Sequence, residues 1–169
     1  MYLSEEYEGV PFAAGVAHPR VLFSRRQFET MPTAAREAAI AHELAHVERM
    51  DPLWILCLLA FGDLFWFLPG LGALLARVLG EIELCADARA VRRGTRPEQL
   101  ADALLRFGEA MQPNPRPALG LTGEKSLLRQ RIERLCAPGA RPARWRRVLT
   151  SAAVALVFAS VLQSVFFGN

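Results

Sequence analysis

Thr33-Ala34-Ala35-Arg36-Glu37-Ala38-Ala39-Ile40-Ala41-His42-Glu43-Leu44-Ala45-His46-Val47-Glu48-Arg49-Met50 is the stretch on which the reading of this 169-residue chain turns. Alanine has the highest helix propensity, and Pro32 just ahead is a start signal, so a helix is expected from Thr33 to about Met50. Positions four apart share a helical face, so His42 and His46 present two imidazoles to one point. Glu43, turned by about 100° from His42, reaches a water at that point. This spacing suits a metal ion, which acidifies water and polarises a carbonyl while a neighbouring carboxylate takes the proton. The chemistry that follows is hydrolysis of an amide without a covalent enzyme intermediate, with His42 and His46 as ligands and Glu43 as general base. The chain has only three histidines, and two of them fall here, on a helix whose other positions are mostly small or apolar.

A catalytic zinc takes three protein ligands and keeps one position open, so a further ligand must come from elsewhere. His18 is the remaining histidine; the alternative lies in Glu81-Ile82-Glu83-Leu84-Cys85-Ala86-Asp87, on a helix expected from about Gly70 to Arg92. Glu83 and Asp87 share a face there, so Glu83 can ligate while Asp87 accepts a hydrogen bond from the free ring nitrogen of a ligand histidine. Glu83 is preferred to His18, and Glu81, turned about 200° from Glu83, is the weaker carboxylate. Cys85 reads as a structural thiol, and Arg89, Arg92 and Arg93 as a charged helix end. No oxyanion stabiliser is assigned. One zinc ion per chain is expected.

Outward from these segments, Val10 to Ser24 holds short apolar runs broken by Gly15, Pro11 and Pro19, with Arg20-Val21-Leu22-Phe23 reading as a strand in a small sheet or hairpin. Asp51-Pro52 reads as a cap and first-turn proline for the next helix. The apolar region Pro52 to Leu79 is divided by Asp63, Pro69-Gly70 and Arg77 into pieces too short to span a bilayer. Its aromatic end, Phe65-Trp66-Phe67, is greasy enough to dip into a membrane interface or to pack in a core. Further helices are expected at Pro97 to Met111 and Gly123 to Cys136, separated by the proline-rich Gln112 to Pro117.

The apolar fraction is 52% and mean hydropathy +0.18, high for a chain with 22% charged residues, so the apolar residues are concentrated. Val148 to Phe167 carries no charge at all and has the length of about 20 residues that a transmembrane helix requires. Arg141, Arg144, Arg146 and Arg147 precede it. By the positive-inside rule they place the preceding domain in the cytoplasm, and they account for much of the basic excess without direct nucleic-acid binding. Cys57, Cys85 and Cys136 make no paired framework, and the N-terminus lacks the design of a signal peptide. The expected organisation is a metallopeptidase domain over residues 1–140, then a basic segment and membrane helix over 141–169, the helix itself at 148–167.

Several stretches together resemble the membrane zinc metallopeptidases of the BlaR/MecR type, the β-lactam sensors and antirepressors. They are Ala17 to Phe23, Ala41 to Trp54 around the histidines, Leu64-Phe65-Trp66-Phe67-Leu68-Pro69, Glu83-Leu84-Cys85-Ala86-Asp87, and Ser126 to Leu135. The Cys85-Ala86 order is the reverse of the family's usual one, while the Glu and Asp spacing is intact. The resemblance implies a zinc ligand at Glu83 and a mainly α fold with a small N-terminal β-sheet (α+β, gluzincin-like). It also implies a peptidase facing the cytoplasm of a bacterial cell from its inner membrane, whose partners are a protein substrate, in the best-known members a transcriptional repressor or the sensor itself, and the lipid bilayer. No attached sensor is inferred. CAAX-type prenyl-protein proteases share the Glu-x-x-x-Asp plan and are the nearest competitor, and a non-catalytic membrane adaptor stabilised by zinc is the rival outside the enzymes. Beside the metal, the substrate is expected to pair in extended form with the strand Arg20, Val21, Leu22 and Phe23.

Overall fold

The computed structural model describes residues 1–15, 17–110 and 121–137. Three short strands, β1 (Tyr2–Ser4), β2 (Phe12–Ala14) and β3 (Arg20–Ser24), precede six helices: α1 (Arg25–Thr30), α2 (Thr33–Glu48), α3 (Asp51–Leu64), α4 (Leu71–Arg92), α5 (Pro97–Ala110) and α6 (Leu121–Cys136). The class is mainly helical with a small sheet, as expected. The helices at 33, 70, 97 and 123 fall within a few residues of their expected bounds. The basic cluster, the charge-free run at 148–167 and the loop 112–117 lie outside the described residues. Among the described residues no helix is long and apolar enough to cross a membrane.

The motif helix α2 is central because its alanines let neighbours approach closely. Ala35 and Ala39 face a cluster with Phe23, Met31, Ala103 and Phe107, while Ala38 packs with Ala90 of α4 and Leu100 of α5. Phe23 is fully buried and meets Phe28 and Phe107 edge-on, at ring separations of 5.6 and 6.3 Å. That arrangement suits the aromatic quadrupole. The sheet is thus fixed to α2 and α5 through β3. Ser24 ends β3 and caps α1, its hydroxyl accepting from the amide of Gln27.

The sheet order is β1-β3-β2, with β1 parallel and β2 antiparallel to β3. This bears on the expectation that a substrate pairs with Arg20, Val21, Leu22 and Phe23, because much of β3 already has a strand partner. Over Arg20–Leu22 one edge of β3 is taken by β2, over Leu22–Ser24 the other is taken by β1, and Val21 and Phe23 are buried. The outer edge of β2 is the one left on that side of the sheet.

Helix α6 lies against α4 and α5 at two glycines. A β-carbon on Gly80 would stand 3.3 Å from Leu127, and one on Gly108 only 2.8 Å from Leu128. A side chain at Gly108 would push the end of Leu128 aside, so the glycine serves this close approach rather than a backbone conformation.

Candidate metal centre

His42 and His46 lie one turn apart on α2, both buried, with their rings edge-on and Nε2 atoms 3.1 Å apart. Glu83 reaches them from α4: its Oε2 is 3.4 Å from His42 Nε2 and its Oε1 is 3.6 Å from His46 Nε2. Ligand atoms of the three residues lie within 4.8 Å of one another. For an ion with bonds of about 2.0–2.1 Å, the edges of a coordination tetrahedron are roughly 3.3 Å, close to the separation of the two nitrogens and to the distance from each to one of the Glu83 oxygens. The donor set therefore fits a metal ion. His18 is exposed and lines a separate shallow hollow with Tyr2 and Arg20, and neither it nor Glu81 joins the cluster.

Both histidines are held from behind. Asp87, one turn along α4 from Glu83, brings Oδ1 to 2.9 Å from His42 Nδ1, an ion-pair contact off the line of a hydrogen bond. His46 Nδ1 has a partner at 2.8 Å in Asp51 Oδ2, which the sequence reading took for a helix cap. That expectation is corrected. Met50, in the left-handed region at φ 57°, occupies the cap position; Asp51 is the first residue of α3, and its side chain turns inward to His46 and to Arg49, 3.3 Å away. A carboxylate behind each imidazole leaves both Nε2 atoms facing Glu83, the disposition in which the two rings could hold a metal ion.

Arg131 of α6 was also missed. It donates from Nε and one terminal nitrogen to the two oxygens of Asp87, each at 2.8 Å, and its other terminal nitrogen lies 2.8 Å from Glu83 Oε2. By contrast, Arg89 and Arg93 pair with Glu48. With Glu43, Glu83 and Asp87 ionised, the single guanidinium of Arg131 leaves two negative charges in the cluster, the complement of a divalent cation.

Burial opposes ionisation of His42, Glu43, Glu83 and Asp87, and the neighbours decide the outcome. For His42, burial works against a charge, but Asp87 and Glu83 outweigh it and lift its pKa to about 9 in the protein alone. Burial pushes Glu83 up, yet His42 and Arg131 bring it down to about 2; Asp87 is lowered by the same two neighbours. Glu43 behaves differently. Burial raises its pKa, and the histidines only partly offset this, so it is the more basic carboxylate of the three. A buried carboxylate of raised basicity beside the ligands is suited to take a proton.

Glu43 and the ligands open into a cleft of about 240 Å³. Val10 to Ala13 lines it on the sheet side, and Ile55, Leu104 and Phe107 supply apolar surface from α3 and α5. The family described as BlaR1 peptidase M56 matches residues 3–135, which covers the sheet, the cluster and α6 together. No curated protein and no solved structure matches the chain. The match spans most of the sequence and includes every residue of the cluster, so the chain belongs to the BlaR1 peptidase M56 family.

Proposed function

We propose that the chain is a membrane-anchored, zinc-dependent endopeptidase that hydrolyses a peptide bond in a protein substrate. The observation that carries this reading is the convergence of His42, His46 and Glu83 with Glu43 beside them in one cleft. Two imidazoles and a carboxylate with a tetrahedral disposition suit zinc. When bound, zinc supplies a Lewis acid that acidifies water and polarises the scissile carbonyl. Glu43 takes the proton of the attacking water and passes it to the departing amine. Asp87 and Asp51 fix the rings of His42 and His46. The substrate chain is oriented along the outer edge of β2, where Val10 to Ala13 lines the cleft and extended backbone can be read by strand pairing.

Anchoring rests on the charge-free run 148–167 behind its arginine cluster, and the positive-inside rule favours the cytoplasmic side of a bacterial cell membrane for the peptidase domain. A cytoplasmic transcriptional repressor is the kind of substrate this position favours. The test compares the full chain with Glu43→Gln in cells, scoring new protein termini by mass spectrometry and zinc per chain in the purified protein. The expected result is one zinc in both and termini in the wild type alone, with cleavage lowered by about 10²–10⁴-fold in the variant. Equal cleavage by both, or no zinc in either, would overturn the reading; zinc in both without cleavage by either favours the adaptor.

A further inference from the structure

The proposed ligand Glu83 and the carboxylate Asp87 stand one turn apart on the same face of α4, Asp87 buried and Glu83 partly so. Like charges at that spacing repel, and α4 itself supplies no cation between them. Arg131 does. Its Nε and one terminal nitrogen fork onto both oxygens of Asp87, and its remaining nitrogen reaches Glu83 Oε2. The guanidinium side chain is 11% exposed, so these contacts are weakly screened by solvent. The backbone of α6 is brought this close by the glycines at 80 and 108, against which Leu127 and Leu128 seat.

We propose that Arg131 is a positioning residue of the metal centre: spanning Glu83 and Asp87, it fixes the third ligand and the carboxylate behind His42 in one arrangement. The planar fork is what the geometry uses. A lysine would bring the charge but only a point contact, and could not hold two carboxylates in fixed relative orientation. Arg131 acts through Glu83 and Asp87, and one terminal nitrogen also lies 3.3 Å from His42 Nε2, so it sets metal affinity and ligand geometry.

This inference rests on the proposed metal site, and the experiment separates the two. Zinc affinity of the full chain in detergent is measured by competition with a chromophoric chelator, and ligand geometry by the absorption spectrum with cobalt(II) in place of zinc. Arg131→Met is expected to weaken zinc by about 10–100-fold and to alter the cobalt spectrum, as loss of a group behind a ligand does elsewhere. Arg131→Lys is expected to recover part of the affinity. Combining Arg131→Met with Asp87→Asn should cost less than the sum of the two single changes, because both remove the shared contact between Arg131 and Asp87. Wild-type affinity and spectrum in Arg131→Met, or losses that simply add in the double variant, would overturn the inference while leaving the metal site standing. Should Arg131→Met fail to fold, Arg131→Lys decides: several-fold weaker zinc supports positioning by the fork, and unchanged affinity and spectrum overturn it. A wild-type chain that binds no zinc sinks the metal site and this inference together.

Discussion

The wall of the cleft and the helix α3 beside it reverse the usual distribution of residues. Around the cluster, His42, His46, Glu43, Asp51 and Asp87 are all buried, whereas α3 and the turn after it expose Trp54, Leu56, Leu59, Leu64, Trp66 and Phe67. The one buried residue of α3 is Asp51, at 2% exposure, while Trp66 just past its end is 81% exposed. The charged interior is stable because Asp51, Asp87 and the neighbouring Glu83 each have a cation or an imidazole against them, as buried charges require. The apolar exterior contributes little to the fold, since most of its surface stays uncovered within the described residues. Sequence hydropathy therefore says little about which of these two regions holds the molecule together.

Removing Asp51 is the strongest way to test that contrast. Asp51→Ala leaves His46 Nδ1 and Arg49 without their buried partner, which should cost about 1–3 kcal/mol of metal-free stability in denaturant unfolding. Zinc affinity should fall by about 10–100-fold in the same variant. If both stay at wild-type values, the buried aspartate is no more important than the exposed tryptophan.

Acidity gives a smaller, graded effect with opposite signs for the empty and loaded chain. The His42 pKa rises from 6.5 to about 9 on folding, so its contribution to metal-free stability is complete below 6.5 and is lost as pH rises through about 9. Zinc must displace that proton. Its affinity should accordingly fall by up to about tenfold for each unit of pH below about 9, measured by chelator competition, while the metal-free melting temperature moves the other way. Parallel trends would show that His42 does not carry the proton. The smallest effect belongs to the exterior: Trp66→Ser should change the stability of the chain by no more than about 0.5 kcal/mol, and a larger loss would mean that the aromatic corner is covered.

The parts of the centre that repeat with helical period were legible from the residues alone. His42 and His46 four apart, and Glu83 and Asp87 four apart, each define a face before any tertiary contact is known. Arg131 was not legible, because it meets His42 across 89 positions and nothing local to α6 states which helix it will face. Asp51 was misread for the opposite reason. A local rule, aspartate before proline at a helix start, fits it well, and only the left-handed turn at Met50 brings its side chain under His46. The central position of β3 was not legible because β1 is three residues long, too short for alternation to register, so its pairing with Leu22–Ser24 could not be read from the residues.

The late position of α6 in the chain has a consequence in time. Translation emits residues in order at about 5–20 per second, so a ribosome-bound chain carries His42, Glu43, His46 and Glu83 before Arg131 has been made. During that interval the two carboxylates of α4 have no guanidinium between them, and the centre is incomplete. If Arg131 positions Glu83 and Asp87 as proposed, their arrangement is set only after the last described helix has been made.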